Sequence, residues 1–408
     1  MTEKSIKSSA IFTPSESYIT QEKLLEVKPQ KGKLTIGIPR ETALQENRVA
    51  LTPEGVKVLT LNGHRIVFET AAGLTAKFSD REYSEAGAHI VYSAKEALES
   101  DVVLKVEPPT IAEIEMMQHG STLISAMQMG NLSADYLEGI SKKKITAVAY
   151  ELIQDKVGGM PLVRAMSEIA GSMSMLIASE YLSNVKSGQG IIVGGITGVP
   201  PTNVLIIGAG TVGEFAARTA LGLGAEIRVF DNHLYKLRRI RHLLGQGIST
   251  STIDSINLGK ALREADIVVA ALRAEKGRNR IVITEEMIAS MKSGSIMIDV
   301  GIDQGGCVET SEITTHEKPV FVKHGVIHYC VPNIASRVAR TATTVISNIF
   351  APILLQAADN GGINEFIHTH KWFMKGIYMY KGTLTNEPLA QKFNMRFKDL
   401  SLLLAARY

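Results

Sequence analysis

The chain has 408 residues, 45% of them hydrophobic, which is long and apolar enough for two domains with separate cores. A net charge of +3 with both signs interspersed argues against a nucleic-acid partner, and the only two cysteines, Cys307 and Cys330, suit a reducing compartment and offer no metal-ligand spacing. With no apolar run of about 18 to 20 residues to span a bilayer and no hydrophobic signal core at the N-terminus, a cytoplasmic protein without a metal or a membrane span is expected.

Residues 1–31 are Lys/Ser/Glu-rich and irregular, and read as an N-terminal extension. From Lys33 strands and helices alternate. LTIGIP reads as a strand, and TPEGVKVLTLNG as a helix with Thr52 as N-cap, Pro53 at its first position and Gly63 as its stop. RIVFET follows as a strand, Ser79 and Ser93 read as two further N-caps, and DVVLKV and STLISAM are strand-like apolar runs. ITAVAYEL closes the series before a turn at Gly158-Gly159. The segment 161–184 is apolar on nearly every side and rich in small residues, which predicts a buried helix between domains or subunits. A glycine-rich hinge, SGQGIIVGGITGVPP, leads onward.

The next unit is the most informative. An apolar run, Val204 to Ile207, strikes a cluster in which Gly208, Gly210, Thr211, Val212 and Gly213 form a loop opening a helix; a second strand then ends at Asp231, 23 residues past Gly208. The first glycine makes the tight turn, the second lets backbone approach a pyrophosphate, and the third lets helix pack on strand, so this series predicts a dinucleotide site. A carboxylate at Asp231 accepts from the ribose hydroxyls and repels a 2′-phosphate, favouring NAD over NADP. KLRRIRH, 236–242, reads as the solvated face of a helix. DIVVAAL, SIMIDVGID and HGVIHYCV continue the unit, and RTATTVISNIFAPILLQAA is a helix that crosses back to the first domain. The expected fold is α/β, with two doubly wound Rossmann-like domains: a substrate domain of residues 32–160 plus 340–408, an NAD-binding domain of residues 161–339, and the active site in the cleft between them.

The segments GIPRET, ENRVALTPEGV, MSEIAGSMS, GAGTVG, IDVGIDQGGCVE and HYCVPNI carry a further signal. Through them the chain resembles the alanine dehydrogenase family, which shares ancestry with the soluble NAD-binding subunit of proton-translocating transhydrogenase, over nearly its whole length from Gly37. The resemblance implies reversible, NAD-dependent oxidative deamination of L-alanine to pyruvate and ammonia in a homo-hexamer. Arg48 matches the family's substrate arginine, whose guanidinium binds a carboxylate bidentately. Asp303 matches the active-site aspartate beside the nicotinamide and nascent imine, where a carboxylate stabilises an iminium and orients water. Asn333 matches an asparagine beside the nicotinamide, and Lys236 an adenosine-side lysine. Ser167 matches a nucleotide-contacting serine, although a helix N-cap would explain it equally well.

Two positions depart from the family pattern. The second carboxylate-binding lysine falls two residues beyond Lys105, where this chain has Glu107, and the acid/base histidine aligns with Gln128, which does not shuttle protons. On one strand face, Lys105 and Glu107 lie about 6.7 Å apart, so Lys105 could reach the missing lysine's position. Glu107 would then be its partner or a replacement acid/base. Arg164 and the segment Ser336-Arg337-Val338-Ala339 resemble the transhydrogenase branch instead. Besides L-alanine oxidation, a dehydrogenase for another 2-amino acid and a soluble NAD(H)-binding subunit therefore stay open.

Overall fold

Short Val- and Ile-rich runs bounded by turns become strands, and because helices cover both faces they read as continuous apolar runs without alternation. A computed structural model describes residues 32–155, 157–273 and 280–406; the expected extension at 1–31 lies outside them. The strands β1 (Thr35–Ile38), β2 (Arg65–Glu69), β3 (His89–Val91), β4 (Val102–Leu104), β5 (Thr122–Ser125) and β6 (Thr146–Ala149) pair in parallel in the order β6-β5-β4-β1-β2-β3. Register is fixed in the middle of the sheet, where Ile36 lies between Ile66 and Val102.

A second sheet is built from β7 (Asn203–Ile207), β8 (Glu226–Phe230), β9 (Ile248–Ser251), β10 (Ile267–Ala270), β11 (Ile296–Asp299), β12 (Val320–Lys323) and β13 (Val326–Tyr329), in the order β12-β13-β11-β10-β7-β8-β9. All its pairs are parallel except β12 with β13. The chain then returns to the first sheet, where β14 (Ile377–Tyr380) runs antiparallel to β6 and β15 (Thr383–Leu384) antiparallel to β14.

Both sheets reverse their winding once, the first between β1 and β4 and the second between β7 and β10. Open α/β sheets bind ligands in the crevice outside the carboxyl ends of the strands at such switch points. In this chain the crevices are lined by the segments after β1 and β4 in one sheet, and after β7 and β10 in the other.

The helix Pro161–Tyr181 packs along the helix Thr211–Gly222 that follows the glycine loop. Gly171 allows the close approach: a Cβ there would lie 2.3 Å from the Val212 carbonyl oxygen and 2.9 Å from the Phe215 Cβ. Gly171→Ala should therefore destabilise the protein by about 1–3 kcal/mol through overpacking, although alanine is the better helix former by about 1 kcal/mol. A denaturant midpoint at or above that of the parent would refute the crowding. The helix is less enclosed than its composition predicts, since Leu176 is 49% exposed on its outer side. Ser167 lies inside this helix, whose N-cap is Met160, so the N-cap explanation of that serine does not hold.

Among the described residues one segment, Ile334–Asp359, is long and apolar enough to cross a membrane by length and composition, which corrects the expectation that no such run exists. Packing accounts for its character: Ile346, Phe350 and Leu354 are buried in the core over the first sheet, against the helix Pro53–Leu61.

Candidate active site

The segment after β1 carries the central group. Arg48 is 6% exposed, which rules out a surface role for it. Its Nε donates to Glu46 Oε1 at 2.7 Å and its Nη2 to Glu46 Oε2 at 2.5 Å, a fork-to-fork pair of the strong bidentate kind. Nη2 also reaches Glu107 Oε1 at 3.3 Å, whereas Nη1 meets the Met166 thioether at 3.5 Å, a poor acceptor for a cationic donor. Burial works against charge on both partners, yet the pairing prevails: it holds the Glu46 carboxyl below the ordinary range and raises the Arg48 guanidinium further.

Glu107 follows β4 and Gln128 follows β5. The Gln128 side-chain amide donates to Glu107 Oε2, so the Glu107 carboxyl is bracketed by Arg48 and Gln128. Burial, then the neighbouring Glu46 carboxylate, push Glu107 up to about 8, with Arg48 opposing. Gln128 has a left-handed backbone, φ 46°, unusual for a residue other than glycine, asparagine or aspartate, and Glu151 Oε1 stabilises the turn by accepting from the Met127 and Gln128 N–H groups at 2.8 and 3.1 Å. Asn333 is also left-handed, φ 58°. Its Nδ2 donates to Glu46 Oε2 at 2.8 Å, and Ser336 accepts from the Asn47 N–H and donates to the Gln45 carbonyl, both at 2.8 Å. The segment after β13 thus holds the loop that presents Arg48.

At the other switch point, Gly208 (φ 111°) makes the turn after β7; a Cβ there would lie 2.5 Å from the Ala271 carbonyl oxygen of the segment after β10. At Gly213 it would sit 1.9 Å from the Gly208 carbonyl oxygen, so the helix meets the strand without a side chain between them. At Gly210 it would find nothing within 4 Å. That open space lies before the N-terminal N–H groups of the Thr211–Gly222 helix, beginning at Thr211 and Val212, and fits a pyrophosphate. Asp231 braces the loop: Oδ2 accepts from the Ala209 N–H and Oδ1 from the His233 N–H, both at 2.8 Å. Burial pushes the Asp231 carboxyl up, but these bonds and Lys236 hold it below the ordinary range. Arg239 is committed to the loop itself, through the Ala209 carbonyl at 3.1 Å and Glu214 at 3.4 Å.

Asp303 lies on the turn Ile302–Gln304 after β11. Its surroundings reduce its hydration and raise its carboxyl, with Arg273, from the segment after β10, opposing; the same arginine acts on Glu151, on the turn after β6. Among the described residues neither Asp303 nor Ser167 hydrogen-bonds to the Arg48–Glu46–Glu107–Gln128–Asn333 cluster. Lys105 takes another direction from the one the sequence suggests. β4 ends at Leu104, so strand alternation does not carry through to Glu107, and the Lys105 ammonium faces Glu113 at 2.8 Å and Glu41 at 3.4 Å. Arg164 is exposed and pairs with Glu168 one turn along its own helix. Glu46, Glu41, Tyr150 and Glu151 were not singled out from the sequence; for Glu46 the signal was there, a carboxylate two residues before the arginine in QENRVALTP.

A glycine-loop nucleotide cradle on one doubly wound sheet and a buried arginine after the first strand of the other suit an NAD-dependent oxidoreductase of small carboxylate substrates. The class narrows on comparison with known proteins: residues 37–170 match the family model "Alanine dehydrogenase/PNT, N-terminal domain" and residues 174–387 its C-terminal counterpart, and the chain belongs to this family. It is 37% identical over 368 residues to Alanine dehydrogenase 2 of Staphylococcus aureus (strain USA300), covering 90% of this chain and 98% of that protein. Its structure is similar to a solved L-alanine dehydrogenase (TM-score 0.83, 34% identity, covering 88% of this chain and 99% of that one). A transhydrogenase from Sinorhizobium meliloti shares the fold at 24% identity and TM-score 0.74, covering 87% of this chain and 99% of that one.

Proposed function

We propose that this protein catalyses the NAD-dependent oxidative deamination of L-alanine: L-alanine, NAD+ and water give pyruvate, ammonium, NADH and a proton. The observation that carries this reading is Arg48, a buried guanidinium whose Nη1 has only a thioether opposite it among the described residues. Glu46 occupies Nε and Nη2, and Glu107 also reaches Nη2, which leaves Nη1 for the substrate carboxylate and so fixes Cα relative to the nucleotide cleft. Gly208–Gly213 would hold the pyrophosphate of NAD, Asp231 its ribose, and Asp303 and Asn333 its nicotinamide end; when bound, NAD would supply the hydride acceptor for the substrate Cα. Glu107 takes and returns the protons as the amine becomes an imine and water adds to it. Its proton affinity lies near working pH, where a general acid/base acts best. Gln128 holds that carboxyl by a hydrogen bond and leaves the proton chemistry to it. Asp303 stabilises the iminium and orients the attacking water.

The protein works as a homo-oligomer in the cytoplasm, six-membered by family likeness. Exposed Ile192, Ile196, Val199 and Leu176 support a large self-interface, and the free thiols of Cys307 and Cys330 support a reducing compartment. The test is NADH formation at alkaline pH from NAD with L-alanine and then a panel of L-amino acids. Turnover is expected with L-alanine and absent with NADP as sole cofactor. NADH binding without turnover of any amino acid would overturn the reading.

A further inference from the structure

Lys105 is 1% exposed, and an ammonium buried that deeply needs partners. Its two partners each do a second task. Glu113 Oε2 accepts from the Thr110 N–H at 2.7 Å and closes the capping box of the helix Ile111–Met116. Glu41 turns toward the active site: Oε1 accepts from the Val106 N–H at 2.6 Å, and Oε2, the oxygen nearer Lys105, from the Glu107 N–H at 3.3 Å. The Val106 carbonyl is held as well, by the Tyr150 hydroxyl at 2.5 Å and the Ala126 N–H at 3.2 Å. Both peptide groups flanking Val106 are therefore fixed by side chains from after β1 and after β6, and the next residue is Glu107.

We propose that Lys105 is a positioning residue: with Glu113 it anchors Glu41, and Glu41 holds the Val106–Glu107 backbone so that the Glu107 carboxyl stands between Arg48 and Gln128. This rests on the reading of Glu107 as the acid/base group. It gives the lysine a task other than meeting the substrate, because a substrate carboxylate at Lys105 would have to displace Glu41 or Glu113 from a site without solvent. Glu41 also acts on Glu107 electrostatically. The groups facing Glu107 are Glu46 and Arg48 from the segment after β1, Glu41 from the same segment, Gln128 after β5 and Tyr150 after β6. Of these the two carboxylates strengthen its hold on the proton and Arg48 weakens it.

The experiment compares wild type, Glu41→Gln and Lys105→Met in kcat, KM for L-alanine and the pH profile of kcat, with thermal melts alongside. Glu41→Gln removes a negative charge and keeps one carbonyl oxygen for the backbone, while Lys105 keeps Glu113. Wild-type turnover is read first: its absence means that the functional reading has failed, independently of this inference. Given turnover, both variants should lose about 10-fold or more in kcat with KM within about 2-fold, the split expected of an acid/base group held wrongly rather than of lost substrate binding. The acidic limb of Glu41→Gln should also move to lower pH. If Lys105→Met raises KM for L-alanine about 10-fold with kcat and pH profile kept, Lys105 touches substrate and the inference is overturned. A Glu41→Gln enzyme with unchanged kcat and pH profile overturns it equally, and decides alone if Lys105→Met does not fold.

Discussion

Replacing Arg48 with alanine should lower kcat/KM for L-alanine by about 10³-fold or more while NADH still binds, because the substrate carboxylate loses its charged partner at Nη1 and its orientation to the nucleotide together. The nucleotide cradle at Gly208–Gly213 and Asp231 belongs to the other sheet and does not include this side chain. The variant also leaves Glu46 buried without its cation, and breaking a buried pair costs about 3–5 kcal/mol, so a thermal melt must accompany the kinetics. Arg48→Lys keeps a charge for Glu46 and serves as the folded control, and it too should lose most activity because an ammonium does not reproduce the guanidinium fork. Retained turnover in a folded Arg48 variant would show that the substrate carboxylate binds elsewhere.

Glu107→Gln should lower kcat by about 10²–10⁴-fold, the usual contribution of a positioned acid/base. The sign of its pH dependence follows from a carboxyl pushed up to about 8. Oxidative deamination needs the group deprotonated, so wild-type activity should rise as pH passes through about 8, and the variant should lack that limb. The same group affects stability in the opposite sense. Between the ordinary carboxyl value of 4.5 and about 8 the folded state holds a proton that the unfolded chain releases, so stability falls as pH rises through that window. Glu107→Gln should flatten this slope in a melt-versus-pH series. An unchanged limb in the kinetics would assign the proton to another residue, with Asp303 the first to examine.

Much of the architecture was legible because its signals are local. The glycine loop, the helix capped by Thr52 and the apolar runs of β2, β10, β11 and β13 each follow from turn chemistry and composition over a few residues. The antiparallel β12, β14 and β15 were not foreseen, since strands at or next to a sheet's edge are defined by what lies beside them. Within the site, Arg48, Glu107, Gln128 and Asn333 were picked out from motifs and lie in one cluster. Lys105 was misdirected for a tertiary reason: where a ladder ends decides which way the next side chain turns, and β4 ends one residue before it. Glu46 has no periodic pattern to mark it, and its only sequence signal is its place two residues before Arg48.

Five site residues lie past the last rung of a strand: Arg48 beyond Ile38, Glu107 beyond Leu104, Gln128 beyond Ser125, Asp303 beyond Asp299 and Asn333 beyond Tyr329. The sheets' hydrogen bonds are complete without them. Changing one of these side chains therefore removes no ladder bond, so Glu107 and Gln128 leave the frame undisturbed.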